Sequence, residues 1–92
     1  MKRIKVKSTL LSSIGYNLHD RVVEVEFKSG GIYRYYYVPP AVFEGLIHAS
    51  SCGQFFNHFI RSIYPFLRVP LNLASGDFLQ MTPVESPDDR RL

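Results

Sequence analysis

The 92 residues are 46% hydrophobic and 21% charged, the balance of one small folded domain rather than of a disordered chain. No apolar run approaches the ~20 residues of a transmembrane helix. A single Cys leaves no intramolecular disulfide framework and fits a reducing, cytoplasmic compartment. The formal charge of +3 points toward nucleic acid but is unevenly placed.

The chain opens on a basic arm, residues 1–7, where Lys2, Arg3, Lys5 and Lys7 meet no acid. Residues 8–68 are close to neutral at +1, and residues 69–92 sum to −2. The arm is read as solvated, with some capacity to grip phosphate by counterion release. A first strand is expected over 11–17, followed by a turn at 17–20. Residues 21–28 alternate Val23, Val25 and Phe27 against Glu24, Glu26 and Lys28, the pattern of a half-buried strand. Ser29, Gly30 and Gly31 turn the chain, and residues 32–38 return as a tyrosine-rich strand.

Two registers of that hairpin are open, and a one-residue slip exchanges the faces. A two-residue loop at Ser29 and Gly30 puts Arg34 on the apolar face and Tyr33, Tyr35 and Tyr37 on the other. A three-residue loop of Lys28, Ser29 and Gly30 sets Val25 opposite Tyr33, Val23 opposite Tyr35, and Arg34 opposite Glu24. The second is favoured because it buries no lone charge and makes a cross-strand ion pair.

Pro39 and Pro40 stop the strand, and Pro40 suits the first turn of a helix over 40–49 with Val42, Phe43, Leu46 and Ile47 inward. Ser51 with Gln54 reads as a capping box opening a second helix over 52–63. Its expected apolar face is Phe55, Phe56, Phe59, Ile60 and Ile63. Beyond Arg68 the periodicity fades. A short strand is conceivable over 77–82, and residues 84–92 read as a partly disordered tail. The expected architecture is α+β: a three-stranded antiparallel meander, then two helices packed on one face, with a C-terminal extension over 69–92.

Ser12-Ser13-Ile14-Gly15-Tyr16, Val23-Glu24-Val25-Glu26-Phe27, Ser29-Gly30 and Tyr33-Arg34-Tyr35 follow one another in order. Val38-Pro39, Ser51-Cys52-Gly53, Phe56-Asn57, Ile60-Arg61 and Tyr64 continue the series. Over residues 6–68 this resembles the KTSC domain, a small module found alone in bacterial and phage proteins and at the C-terminus of some lysyl-tRNA synthetases. The resemblance implies a binding module, with RNA binding implied through the synthetase association. The expected domain is residues 8–68.

Two groups of residues carry that expectation. Tyr33 and Tyr35, with Arg34 between them, would stack bases and contact phosphate if they lay on an open sheet face. In the favoured register the two tyrosines instead pack beneath the helices. Ser51, Gly53, Asn57 and Arg61 form the second group. Helix-start N–H groups favour anions, and Asn57 and Arg61 are i, i+4 neighbours. The bland reading is a capped helix whose polar side chains bond one another.

No catalytic residue, metal ligand set or cofactor motif is expected. Cys52 stands near His48 and His58 in sequence, but no third group orients a base, so a semi-buried free thiol is expected. His19, His48, Cys52 and His58 lack ligand spacing. The functional expectation is an RNA- or nucleotide-binding module. The alternative is a protein-interaction or self-associating module, of the kind found among phage or mobile-element accessory proteins, using residues 69–83 as an added strand.

Overall fold

The computed structural model describes residues 1–70. A five-stranded antiparallel sheet runs in the order β1 (Arg3–Lys5), β2 (Leu11–Asn17), β3 (Val22–Phe27), β4 (Ile32–Tyr35), β5 (Phe66–Val69). Between β4 and β5 the chain forms α1 (Pro40–His48) and α2 (Cys52–Phe56), and α2 runs directly into a π-helical turn, Asn57–Arg61. The α+β class stands, but the sheet has five strands where three were expected. The two additions are its edges.

β1 is built from the basic arm. Ile4 and Val6 alternate with Arg3, Lys5 and Lys7, so a period of two was present beneath the charge. Lys2 and Arg3 lie so close to Gly15 that a Cβ there would stand 2.4 Å from the Lys2 carbonyl oxygen. Glycine at position 15 is therefore the condition for β1 to pair with β2.

The β3–β4 hairpin takes the register with Val25 opposite Tyr33, Val23 opposite Tyr35 and Glu24 opposite Arg34. The Phe27 N–H donates to the Gly31 carbonyl (3.1 Å) and the Gly30 N–H to the Phe27 carbonyl (2.9 Å). Gly30 and Gly31 sit at φ +108° and +93°, where a Cβ would be strained. β4 ends at Tyr35, three residues before its expected end. Tyr36 donates its N–H to the Pro65 carbonyl (2.9 Å) and Tyr37 turns to φ +66°, so the ladder breaks before the prolines are reached.

Both helices cover the same sheet face. Leu46, Phe56 and Ile60 meet Ile14, Val23, Val25, Tyr35 and Phe66 in one buried cluster. Truncating such fully buried residues costs about 2–5 kcal/mol each. Tyr16 pins α1, its ring stacked on Phe43 at 4.7 Å and its hydroxyl donating to the Val38 carbonyl at 2.6 Å. Gly45 lets the Phe55 ring lie against α1, since a Cβ there would stand 2.5 Å from it. The expected capping contact is present: Ser51 Oγ accepts from the Gln54 N–H at 3.2 Å. The expected apolar face is only half realised. Phe56 and Ile60 are buried, whereas Phe59 and Ile63 are 52% and 58% exposed. Within the wide π-helical turn Ile60 stays on the buried face while Phe59 swings further from it than α-helical spacing assigns, and Ile63 lies past the turn's end at Ser62. Residues 71–92, including the strand and tail expected there, lie outside the described residues.

Candidate nucleic-acid interface

On the sheet face away from the helices, Glu24 is 0% exposed. Its register places Gly15 on one side and Arg34 on the other. Arg34 Nε donates to one carboxylate oxygen at 2.7 Å, and the Arg3 guanidinium pairs with the other. Arg3 Nε also donates to Ser13 Oγ (2.9 Å), which in turn donates to Glu26 (2.9 Å). A carboxylate without water needs such partners on both oxygens. Arg3 and Arg34 thus serve the fold. Burial holds the Tyr36 phenol above its ordinary value; Arg34 pulls it down, while Glu24 and Tyr37 push it up.

The tyrosine strand faces inward. Tyr35 is 2% exposed, stacked on Phe66 at 5.4 Å and set edge-on to Phe56 at 5.2 Å, so neither ring face is open to a base. Tyr33 is half-buried, edge-to-face with Phe27 at 5.2 Å. An open stacking platform on Tyr33 and Tyr35 is not what the fold presents, because their register partners Val25 and Val23 share the helix-covered face.

The second group divides. Ser51 is exposed but caps its own helix, and Gly53 is buried: a Cβ there would stand 3.1 Å from Ser8 Oγ and 3.3 Å from Leu10 Cβ. The helix start is thus packed against the Ser8–Leu10 segment. Asn57 and Arg61 are exposed and together: Arg61 Nη1 donates to Asn57 Oδ1 at 3.0 Å. The Arg61 guanidinium also lies over the Phe27 ring (5.2 Å) and near the Phe56 ring (5.8 Å). Arg68, not singled out in the sequence, lies over Tyr33 at 5.8 Å. Phe66-Leu67-Arg68-Val69 shows no apolar–polar alternation, so no strand period marked it in the sequence.

The thiol and the imidazoles are apart in role. Cys52 is buried and its Sγ donates to the Leu46 carbonyl at 3.4 Å. His48 is exposed against Glu44, and His58 is exposed with its ring edge to Phe59. Among the described residues no three His, Cys, Asp or Glu side chains gather as a metal site, and no helix is long and apolar enough to cross a membrane.

Three comparisons bear on this geometry. The KTSC domain model matches residues 7–64. A protein of Stutzerimonas stutzeri described as uncharacterized is 47% identical over 57 residues, 62% of this chain and 80% of that one. A lysine–tRNA ligase of Nostoc punctiforme is 36% identical over 63 residues, 68% of this chain but 11% of the ligase. Among solved structures, the crystal structure of a KTSC domain protein from Yersinia pestis superposes with a TM-score of 0.73 at 30% identity, over 75% of this chain and 97% of that one.

Proposed function

The chain belongs to the KTSC domain family, and from that premise we propose that it is a non-enzymatic binding module whose ligand is RNA or a nucleotide. The observation that carries this reading is Arg61, an exposed cation held over the Phe27 ring, bonded to Asn57, with no carboxylate partner among the described residues. A guanidinium so placed presents its fork to phosphate. The kinship with part of a lysine–tRNA ligase supports an RNA setting, and a cytoplasmic location goes with it.

The test is fluorescence anisotropy of labelled, mixed-sequence single-stranded RNA with the full chain, between about 50 mM and about 200 mM salt. The expected result is binding that weakens with a log–log slope of about −0.7 per phosphate contacted. Absence of binding at low salt overturns it.

A protein-interaction or self-association reading is favoured by a different observation, the exposure of Ile63 and of Phe59, whose ring lies 4.7 Å from that of the half-buried Phe55. Exposed aromatic and aliphatic side chains in one patch mark contact surfaces. Its mark is a light-scattering mass well above 10.6 kDa. Of residues 69–83, the expected added strand, only Val69 and Pro70 are described, and Val69 closes the chain's own β5.

A further inference from the structure

We propose that Arg61 and Arg68 form a two-pronged clamp for the phosphates of single-stranded RNA at the hairpin end of the sheet. This deepens the RNA reading above and rests on it.

The two side chains come from different elements, the π-helical turn and β5, yet converge on one aromatic pair. Phe27 and Tyr33 stand edge-to-face with centroids 5.2 Å apart. Arg61 lies over the first ring at 5.2 Å and Arg68 over the second at 5.8 Å. Arg68 is also the register partner of Tyr33, so it shares that ring's face of the sheet. Neither guanidinium has a carboxylate partner among the described residues, in contrast to Arg3 and Arg34, whose charge is taken by Glu24.

The hairpin turn makes room for this arrangement. A Cβ on Gly31 would stand 3.3 Å from both Arg68 Nη2 and Tyr33 Cε1. Glycine at position 31 therefore serves the turn, at φ +93°, and also the seat of Arg68. A cleft of about 560 Å³ opens beside Arg68, between Gly30, Gly31 and Ile32 on one side and Val69 on the other. Glu26 also lines this cleft, and its charge disfavours a phosphate inside it, so phosphate contact is assigned to the exposed Arg68 guanidinium rather than to the cleft. Resting on rings, the two guanidiniums lose less side-chain freedom on binding than mobile surface arginines do. Two cations spread over two adjoining rings suit a chain of phosphates better than a single phosphate ion.

The experiment is the same anisotropy titration with full-length Arg61→Ala, Arg68→Ala, the double variant and Arg68→Lys, each checked for folding by circular dichroism. Each alanine is expected to weaken RNA binding about tenfold, the loss of one charge-assisted contact. Each should also reduce the magnitude of the salt slope by about 0.7. Arg68→Lys should keep the slope and lose part of the affinity, because a point charge lacks the planar fork. If the wild-type chain binds RNA and the folded double variant binds with unchanged affinity and slope, the clamp is wrong and the RNA reading stands. If the wild-type chain binds no RNA, that reading fails and the clamp with it. Binding of a phosphopeptide in place of RNA, lost in the double variant, also overturns the proposal as stated.

Discussion

Two pairs of arginines sit at opposite faces of the same small sheet. Arg3 and Arg34 flank Glu24 on the outer face, each donating to one oxygen of a carboxylate that water does not reach. Arg61 and Arg68 rest on Phe27 and Tyr33 at the hairpin end, and neither is ion-paired to a carboxylate among the described residues. The first pair neutralises a charge that the fold itself has buried, so its loss is felt as instability. The second rests on rings that pack against one another without it, so its loss is expected to leave the fold standing. Counting basic residues along the chain cannot separate the two; what separates them is the company each guanidinium keeps.

The comparison breaks most readily at Glu24. Arg3→Ala with Arg34→Ala strips both partners from a buried carboxylate, and the expected loss is about 3–5 kcal/mol of stability in a urea titration. Either single variant should lose less, because one arginine stays in place. Arg61→Ala with Arg68→Ala should lose only about 0.5–1 kcal/mol per arginine, the range for exposed cations over rings. Equal losses from the two double variants would erase the distinction.

A backbone route to the same network gives a smaller effect. Gly15→Ala puts a Cβ against the Lys2 carbonyl and pushes β1 off β2, taking Arg3 from Glu24 without altering any charge. The expected cost is about 1–3 kcal/mol, with amide exchange accelerated at Ile4 and Val6. Unchanged exchange there would mean that β1 pairs without help from the glycine.

The smallest effect is alkaline. Burial raises the phenol pKa of Tyr36 and, against the opposing charge of Arg21, that of Tyr16, both from an ordinary value of 10.0. The folded chain therefore keeps these protons to higher pH than the unfolded chain. Their contribution is complete below the ordinary value and is lost as pH climbs through the raised ones. Thermal midpoints should fall on that limb, and Tyr36→Phe should flatten the fall.

Much of this was legible in the residues. The β3 alternation and the Glu24–Arg34 pairing chose the hairpin register, because burying a lone arginine is costlier than pairing it. Ser51 and Gln54 announced the start of α2 through a local hydrogen bond. What was not legible depended on distant contacts. β1 was not legible because two apolar residues, Ile4 and Val6, are too short a period among four cations, and its docking partner, Glu24, lies 21 residues from Arg3. The outward turn of Phe59 follows from a π-helical turn that α-helical spacing does not contain, and Ile63 lies past the end of that turn. Of the candidate site, Asn57 and Arg61 were found together because i, i+4 spacing is local. Arg68 was not, since only the pairing of β5 with β4 brings it to Tyr33.

The lone thiol has a use beyond packing. Cys52 lies in the seam between the helices, its Sγ turned to the Leu46 carbonyl of α1. Separation of α1 from α2 breaks that contact and opens the sulfur to a thiol reagent. Where reclosing is fast relative to modification, labelling reports the free energy of that opening; where it is slow, the opening rate. The wild-type chain thus carries, at a single position, its own clock for the detachment of its helical layer.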